Sequence, residues 1–306
     1  MKTIRYSLGS TFLMIVCVSG IWGQASNTVS SIEIPFEFIK NEIVVQVKIN
    51  GKGPFNMMLD TGTDPSAIDL NTAKEIGLKL NAVGRQASGG GTSVNLAYQT
   101  KFSILDIGGL EARNIDAAAI DLSAVSEGMG KKIHGVLGQS LLNKRIVQFD
   151  YPKSIVRFYA RSPFSKSSAQ PNTPTHTTVS FRYDDNVLID DVMVNGKRIT
   201  ANLDTGSSGS FQLTPTAVTA LGLESEAGKG EAKTSVGYNG AFESRSGQVK
   251  NITIGGISLD APAVIFFGKG TGHDKPPWGI NIGNVFLKDF VLTIDYQSKT
   301  ITFERH

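Results

Sequence analysis

The tetrapeptide Leu59-Asp60-Thr61-Gly62 recurs later in the chain as Leu203-Asp204-Thr205-Gly206. A single Asp-Thr-Gly carries little weight, because one arises by chance in about one chain of this length in fifteen. Two copies at equivalent positions of a repeat are a much stronger signal. Each copy follows an apolar segment, which directs the carboxyl group to the interior, where an unsatisfied charge is costly. The two triplets therefore predict a buried pair of functional carboxyl groups.

An internal repeat surrounds the two triplets, with an offset of about 145 residues. Residues 49–52 and 194–197 both combine an apolar residue with Asn-Gly-Lys, which is a hairpin-turn signal. Residues 138–158 align without a gap to residues 283–303. The chain therefore consists of two related halves, each with its own triplet.

Each half also predicts one short helix shortly after its triplet. We expect helices at 71–76, with Asn71 as N-cap and Gly77 as terminator, and at 214–221, with Thr214 and Gly222 in those roles. The remaining segments are short, rich in Val, Ile, Thr and Phe, and interrupted by glycine pairs, which is typical of an all-β fold.

These patterns predict two homologous β-barrel-like lobes with a cleft between them and a few short helices. We place the lobes at 32–160 and 177–306. Residues 161–176 combine Ser and Pro without apolar periodicity, so we expect them to form an exposed linker.

The N-terminal residues 1–25 are typical of an export signal, with basic residues, a short apolar core and a small-residue cleavage site before Ser26. We therefore expect a periplasmic or extracellular protein. The single cysteine, Cys17, lies inside this segment, so the exported chain would have no disulfide. A lipoprotein acylated at Cys17 is the alternative. No later segment is long and apolar enough for stable membrane insertion.

Charge and histidine content argue against two classes of function. Lys and Arg total 30 against 27 for Asp and Glu, and these charges are scattered, which argues against nucleic acid as a partner. The four histidines are dispersed without ligand spacing, which argues against a metal site.

A two-fold arrangement of the lobes would bring Asp60 and Asp204 face to face. Two carboxyl groups that close share one proton, so the pair holds an acid and a base together and can activate a water for attack on an amide. This chemistry requires no cofactor. We expect supporting roles for the residues that follow each Asp. These are Thr61 and Thr205, which can hydrogen-bond across the interface, Gly62 and Gly206 in tight turns, and the hydroxyls of Thr63 and Ser207 near the outer carboxylate oxygens.

These motifs resemble the pepsin-like and retropepsin-like aspartic peptidases. The resemblance covers both lobes: Asp60-Thr61-Gly62 is followed by Val136-Leu137-Gly138, and the second triplet by Ile282-Gly283. It implies an endopeptidase that acts on extended peptide or protein substrates, with Asp60 and Asp204 as the catalytic pair. Because both triplets lie in one chain, we expect an active monomer.

Two residues depart from the family pattern. Asn281 stands at an apolar position before Gly283, which weakens the second match. Asp64 stands at a position where the family has a small hydroxyl residue. We hypothesise that this third carboxyl group raises the pKa of the catalytic pair.

A flap over the cleft is expected from the hairpins of the two lobes. The tip of the first-lobe hairpin is a Ser88-Gly89-Gly90-Gly91 run without the tyrosine that pepsin-like enzymes carry there. Its counterpart in the repeat is Gly237-Tyr238-Asn239-Gly240. We therefore predict that the second lobe supplies a covering hairpin, with the first-lobe hairpin alongside it.

Other readings of the sequence stay open beside this one. A non-catalytic exported peptide-binding protein that retains the fold is the main alternative, because fold does not fix function. A peptidase could be a narrow processing enzyme or a general scavenger. Asp150 and Asp295 also repeat, but each precedes turn residues, so we interpret them as structural. We interpret the glycine-rich segment 268–272 as a loop beside the cleft.

Overall fold

The fold is seen in a computed structural model of the chain, which describes residues 30–81, 85–86, 89–91, 93, 95–164, 175–274 and 276–305. The predicted export signal at 1–25 lies outside the described residues, as do Ser88 and residues 165–174 of the predicted linker.

The first half contains eleven strands and three short helices among its described residues. They are β1 (Ser31–Pro35), β2 (Glu37–Ile39), β3 (Glu42–Ile49), β4 (Lys52–Leu59), β5 (Ser66–Asp69), α1 (Leu70–Glu75), β6 (Arg85–Gln86), β7 (Leu96–Ile107), β8 (Leu110–Ile120), α2 (Ser123–Met129), β9 (Gly135–Leu137), α3 (Gln139–Leu142), β10 (Ile146–Asp150) and β11 (Ile155–Tyr159).

The second half follows a similar order, with some strands divided and one helix at a different place. Its described elements are β12 (His176–Ser180), β13 (Arg182–Tyr183), β14 (Val187–Val194), β15 (Lys197–Leu203), β16 (Phe211–Leu213), α4 (Pro215–Leu221), α5 (Glu224–Lys229), β17 (Glu231–Gly237), β18 (Gly240–Gln248), β19 (Asn251–Ile254), β20 (Ile257–Asp260), β21 (Ala263–Phe267), β22 (Ile280–Ile282), α6 (Asn284–Leu287), β23 (Phe290–Asp295) and β24 (Thr300–Arg305). The predicted all-β architecture with short helices is confirmed.

Each lobe is built on its own sheet. In the first lobe the strand order is β2-β3-β4-β9-β5-β8-β7-β6, and an additional pairing of β3 with β7 curls the sheet toward a barrel. In the second lobe the order is β17-β18-β21-β16-β22-β15-β14-β19-β20, with β13 beside β14. The two sheets therefore place equivalent strands at equivalent positions.

A third sheet joins the lobes, in the order β1-β11-β10-β23-β24-β12. At its centre β10 pairs antiparallel with β23, and Gln148 lies opposite Thr293, its own counterpart in the repeat. The Gln148 amide donates to the Thr293 hydroxyl over 3.0 Å. A local two-fold axis thus passes between these two residues, through the middle of the shared sheet.

Turn and cap residues account for the local structure. Asn50 and Gly51 have φ of 51° and 78°, and Asn195 and Gly196 have 50° and 76°, which are the left-handed values that a tight hairpin turn needs. Both predicted hairpins are confirmed.

The two predicted helices form, with one correction at an N-cap. Helix α4 is capped by Thr214, whose side chain accepts from the Ala217 amide, and it ends at Gly222 in the left-handed conformation, as predicted. Helix α1 begins at Leu70, one residue earlier than predicted, and its N-cap is Asp69 rather than Asn71. The Asp69 carboxylate accepts from the Thr72 amide, and a charged acceptor caps a helix well.

The main hydrophobic core runs through both lobes and the shared sheet. A second, smaller group of apolar residues lies in the first lobe, and we call it the satellite cluster: Val44, Met58, Ala67, Ile120, Leu122, Met129, Ile133 and Val136. The Tyr238 side chain from the second lobe packs against it. The satellite cluster therefore lies where the two lobes meet.

The repeated Asp150 and Asp295 take the structural role expected of them. Asp150 accepts from the Lys153 amide over 3.2 Å, and Asp295 accepts from the amides of Gln297 and Ser298 over 2.9 and 3.0 Å. Within the described part of the chain, no helix has the length and apolar character needed to span a bilayer.

Candidate active site

Parallel strand pairs place the two Asp residues at equivalent points of the lobes. Asp60 follows β4, which runs parallel to β9, and Asp204 follows β15, which runs parallel to β22. The Asp60 amide donates to the Leu137 carbonyl over 3.0 Å, and the Asp204 amide to the Ile282 carbonyl over 2.9 Å. The backbone of each Asp is therefore tied to the later motif of its own lobe.

The two threonines of the triplets link the lobes. The Thr61 hydroxyl donates to the Leu203 carbonyl over 2.7 Å and accepts from the Thr205 amide over 3.0 Å. The Thr205 hydroxyl donates to the Leu59 carbonyl over 3.0 Å and accepts from the Thr61 amide over 3.1 Å. Both threonines are fully buried. The expected hydrogen bonds across the interface are therefore present, as a reciprocal set of four.

A buried amide braces each triplet from behind. Gln139 donates to the Thr61 carbonyl over 2.5 Å, and Asn284 donates to the Thr205 carbonyl over 2.7 Å. These two residues are counterparts in the repeat. The same Asn284 amide also donates to the Asn41 carbonyl, while its oxygen accepts from the Tyr151 hydroxyl.

The triplet glycines allow the two carboxyl groups to meet. A Cβ added to Gly206 would lie 2.1 Å from Cγ of Asp60, and one added to Gly62 would lie 2.8 Å from Oδ1 of Asp204. The Gly62 amide donates to Asp60 Oδ1 over 2.6 Å, and the Gly206 amide to Asp204 Oδ1 over 2.9 Å. Any side chain at either glycine would therefore push the opposite carboxyl group away.

The donors to the outer carboxylate oxygens differ between the lobes. The Thr63 hydroxyl donates to Asp60 Oδ2 over 2.5 Å, as expected. The Ser207 hydroxyl does not take the equivalent place, because it donates to Gln212 Oε1 over 2.9 Å. Asp204 Oδ2 accepts instead from the Asn281 amide over 2.7 Å. The expectation for Ser207 is therefore wrong in this respect.

The pair lies in a buried environment, which disfavours the ionised form of a carboxyl group. Asp60 is only 3% exposed, and Asp204 lies deep between the lobes although part of its surface remains accessible. Burial raises the pKa of Asp204 well above its ordinary value, and the charge of Asp60 raises it further. The hydrogen bond from Asn281 acts in the opposite direction, because it stabilises the ionised form.

A third carboxyl group lies beside the pair, and it belongs to Glu42. This side chain at the start of β3 is 6% exposed, and its Oε2 atom has no hydrogen-bond partner among the described residues. Burial raises the pKa of Glu42 well above its ordinary value, with the charges of Asp60 and Asp204 as further causes. Hydrogen bonds from Ser208 lower it.

The structure gives no support to the hypothesis that Asp64 acts on the pair as a third carboxyl group. Asp64 is exposed and accepts from the Tyr183 hydroxyl at 3.5 Å. Partial burial raises the pKa of Asp64, followed by the charge of Asp185, and neither Asp60 nor Asp204 is among the causes. The physical reason is that the chain after Thr63 turns toward Tyr183 rather than back to the pair.

The second-lobe hairpin reaches the carboxyl pair through Tyr238. This residue lies at the turn between β17 and β18, where Gly237 pairs with Gly240. Its hydroxyl donates to Asp60 Oδ2 over 2.7 Å and lies 2.9 Å from the Thr63 hydroxyl. The tip of the second-lobe hairpin therefore contacts the carboxyl group of the first lobe.

The first-lobe glycine run lies against this hairpin tip. The Asn239 amide donates to the Gly90 carbonyl over 2.9 Å, and the Gly91 amide to the Thr271 carbonyl over 3.1 Å. A Cβ on Gly91 would lie 2.1 Å from the Asn239 backbone, and one on Gly237 would lie 2.4 Å from the Gly90 carbonyl oxygen. We call the assembled segments 89–91 and 237–240 the cover. Segment 268–272 contributes Thr271 to its edge.

Sequence reasoning did not assign four residues of this site: Glu42, Gln139, Asn281 and Asn284. Gln139 and Asn284 had a detectable signal, since both are amides that follow a glycine at equivalent repeat positions. The signal for Glu42 is weaker. It is a charged residue where the aligned repeat position has the apolar Val187. Among the described residues, no cluster of His, Cys, Asp and Glu has the arrangement of a metal site.

Two homologous β lobes that meet at a reciprocal pair of Asp-Thr-Gly triplets define a bilobal protein of the aspartic peptidase class. A family model described as aspartyl protease matches residues 45–141 and 191–283, more than half of the chain. The chain belongs to this aspartyl protease family, which is of the retropepsin-like type. Membership indicates a proteolytic hydrolase that takes peptide substrates. A comparison with curated proteins finds no match.

Proposed function

We propose that the protein is an aspartic endopeptidase that hydrolyses peptide bonds with a water activated between Asp60 and Asp204. The observation that carries this proposal is the meeting of the two carboxyl groups, each packed against the glycine of the opposite triplet. Two carboxyl groups in contact share a proton rather than ionise together. The pair then presents an acid and a base at one pH.

The hydrogen bonds around the pair favour Asp60 as the base. Asp60 accepts from the Gly62 amide and the hydroxyls of Thr63 and Tyr238, which together stabilise a carboxylate. Burial and the charge of Asp60 raise the pKa of Asp204, which favours Asp204 as the protonated acid. We propose these roles for the resting enzyme.

The reaction then proceeds in two balanced steps. The water oxygen attacks the amide carbon as Asp60 takes a proton from the water. At the same time Asp204 gives its proton to the carbonyl oxygen. In the second step the carbon–nitrogen bond breaks as Asp60 gives its proton to the leaving nitrogen. One hydroxyl of the tetrahedral intermediate returns a proton to Asp204, which restores the starting state.

The cover must open for a substrate to enter. Tyr238 occupies Asp60 Oδ2 through its hydroxyl and packs its ring against the satellite cluster. An extended peptide would therefore displace Tyr238 from the pair before the cover closes over the bound chain. The short polar contacts of the cover, such as Asn95 to the Tyr238 carbonyl at 2.6 Å, would break in this movement.

The test is cleavage of a peptide library by the purified protein from acidic to neutral pH, read by mass spectrometry. We expect internal cleavage, and we expect both D60N and D204N to abolish it while the proteins keep their melting temperatures. Cleavage that survives in both variants would refute the proposed mechanism. Peptide binding without cleavage would instead support the non-catalytic peptide-binding alternative.

We propose in addition that the protein is exported to the periplasm or the extracellular space and acts as a monomer. The support is the export-signal pattern of residues 1–25 and the presence of both triplets in one chain. Fractionation of cells that express the full chain, followed by N-terminal sequencing, should find a mature form that starts near Ser26. Retention of residues 1–25 in a cytosolic protein would contradict export, and mass measurement in solution would test the monomer.

A further inference from the structure

The second lobe carries a row of three amide side chains beside Asp204. Asn202, Asn281 and Gln212 lie side by side on adjacent strands β15, β22 and β16. The equivalent row of the first lobe is Met58, Val136 and Ala67, which belong to the satellite cluster. The two rows match strand by strand, so the lobes share a backbone plan but differ in the chemistry of this row.

Hydrogen bonds fix the orientation of the central amide. Asn281 Nδ2 donates to Asp204 Oδ2 over 2.7 Å and to Gln212 Oε1 over 2.9 Å. Its Oδ1 accepts from Asn202 Nδ2 over 2.8 Å. Because each polar atom of this amide has a partner, a rotation that exchanged its nitrogen and oxygen would break all three contacts.

Burial makes the arrangement costly to disturb. Asn281 is 4% exposed and Asn202 is 2% exposed, so neither amide has water as a ready substitute partner. Gln212 is held in turn by the Ser207 hydroxyl, which donates to the same Oε1 atom. Asn202 therefore donates to Asn281 and Asn281 to Asp204, while Gln212 accepts from Asn281 and Ser207 and holds Asn281 in place.

An amide N–H differs chemically from the hydroxyl that serves Asp60. The Thr63 hydroxyl can donate or accept, so it can adapt to either protonation state of its carboxyl group. The Asn281 N–H can only donate. A proton on Asp204 therefore cannot lie on the lone pair of Oδ2 that accepts from Asn281, nor on the lone pair of Oδ1 that accepts from the Gly206 amide, so it takes one of the other two lone pairs of the carboxyl group.

We propose that Asn281 is a positioning residue of the proposed peptidase reaction, which orients the Asp204 carboxyl group and keeps its acidic proton off the lone pair that accepts from Asn281. Asn202 and Gln212 act through Asn281. The inference rests on the proposed function for its catalytic consequence, but the geometry it describes is measurable in a protein that does not turn over.

The first arm of the test is a carbon-13 NMR titration of aspartate carboxyl groups, with the Asp204 signal assigned from its loss in D204N. The variant N281L keeps the size of the side chain and removes the N–H donor. Since this donor stabilises the ionised form, we expect the Asp204 titration to move to higher pH in N281L. N202L should shift it in the same direction by a smaller amount. The neighbouring titratable groups Asp60, Glu42, Tyr151 and Tyr238 remain in each variant.

The second arm is the pH dependence of kcat/KM. We expect N281L to lower kcat about 10-fold to 100-fold, as for loss of a hydrogen bond to a charged group. The high-pH limb of the profile should move up in pH, because that limb reports loss of the Asp204 proton. N281D, with the same shape and an acceptor in place of the donor, should move the limb at least as far.

A matched control is N56L, which removes a half-buried amide of the first lobe that donates to the Lys132 carbonyl. We expect wild-type kinetics and wild-type titration of Asp204 in this variant. If N281L and N202L fold but leave the titration of Asp204 unchanged, the inference is wrong. If the wild-type protein cleaves no peptide while the titration shifts as expected, the positioning holds and the proposed peptidase function fails.

Discussion

The hydroxyl of Tyr238 lies 2.7 Å from Oδ2 of Asp60, so the hairpin of the second lobe is hydrogen-bonded to the carboxyl group of the first. A hydrogen bond to a charged acceptor contributes about 1.5–3 kcal/mol. This contact therefore stabilises the closed cover, and under the proposed function it competes with a peptide for the same oxygen.

Replacing Tyr238 by Phe should lower KM. The ring and its packing on the satellite cluster remain, but the bond that holds the cover closed is lost, so a larger fraction of the protein is open to substrate. We expect KM to fall up to about 10-fold. Steady-state kinetics on a cleaved library peptide would measure this, and a rise in KM would contradict it. Y238A, which also removes the ring from the cover, should instead reduce cleavage.

Replacing Thr63 by Ala should reduce activity more than replacing Ser207 by Ala. Thr63 donates directly to Asp60, whereas Ser207 donates to Gln212 and reaches Asp204 only through the amide row. We expect kcat/KM to fall about 10-fold or more for T63A and by a smaller factor for S207A. Equal losses in the two variants, or a greater loss in S207A, would speak against the difference between the lobes.

Replacing Thr61 by Val should destabilise the fold by about 2–4 kcal/mol, since it leaves the buried Thr205 amide and Leu203 carbonyl without partners. T205V should cost a similar amount, because the bonds it breaks are the counterparts of these. Urea denaturation of both variants would measure the free energy of unfolding. A marked inequality between them would show that the four bonds are not energetically reciprocal.

Replacing Glu42 by Gln should change how stability depends on pH. Because the folded-state pKa of Glu42 is raised above its ordinary value of 4.5, the stability that its protonated form contributes is fully present below pH 4.5. It is lost as pH rises toward and through the raised pKa. Gln is neutral throughout, so E42Q should gain stability relative to wild type between pH 4 and pH 7. Denaturation at both pH values would test this, and a difference that does not change with pH would contradict it.

Replacing Asp64 by Ser should leave the pH profile of kcat/KM unchanged. The charges that act on Asp64 are those of Asp185 and Asp116, and its hydroxyl partner is Tyr183. Measurement beside E42Q would distinguish the two carboxyl groups. A shifted profile in D64S would restore the hypothesis that Asp64 acts on the pair.

The repeat made much of the fold accessible to sequence reasoning. Two copies of a motif in one chain predict two equivalent lobes, and this symmetry predicts that Asp60 lies opposite Asp204. The threonine contacts followed from the same symmetry. The shared sheet is not predicted from the sequence, although residues 138–158 and 283–303, which align without a gap, contain its two central strands.

Sequence reasoning failed where partners depend on neighbouring strands. By sequence, Asn281 stands at an apolar position and weakens the second family match, yet it contacts Asp204 because Asn202 and Gln212 lie beside it on other strands. The Ile and Val residues around Glu42 predict that its strand is buried. They do not predict that Glu42 lies near Asp60 and Asp204. These contacts join positions far apart in the chain, so no local pattern reports them.

The axis between Gln148 and Thr293 relates the lobes as it would two subunits of a homodimer. In a homodimer both carboxyl groups would have identical surroundings, and nothing would decide which one keeps the proton. In a single chain that contains both lobes, a substitution in one lobe does not change the other. Here one half has a hydroxyl at the outer oxygen and the other has an amide, so under the proposed mechanism the two carboxyl groups are no longer equivalent and one of them is favoured to keep the proton.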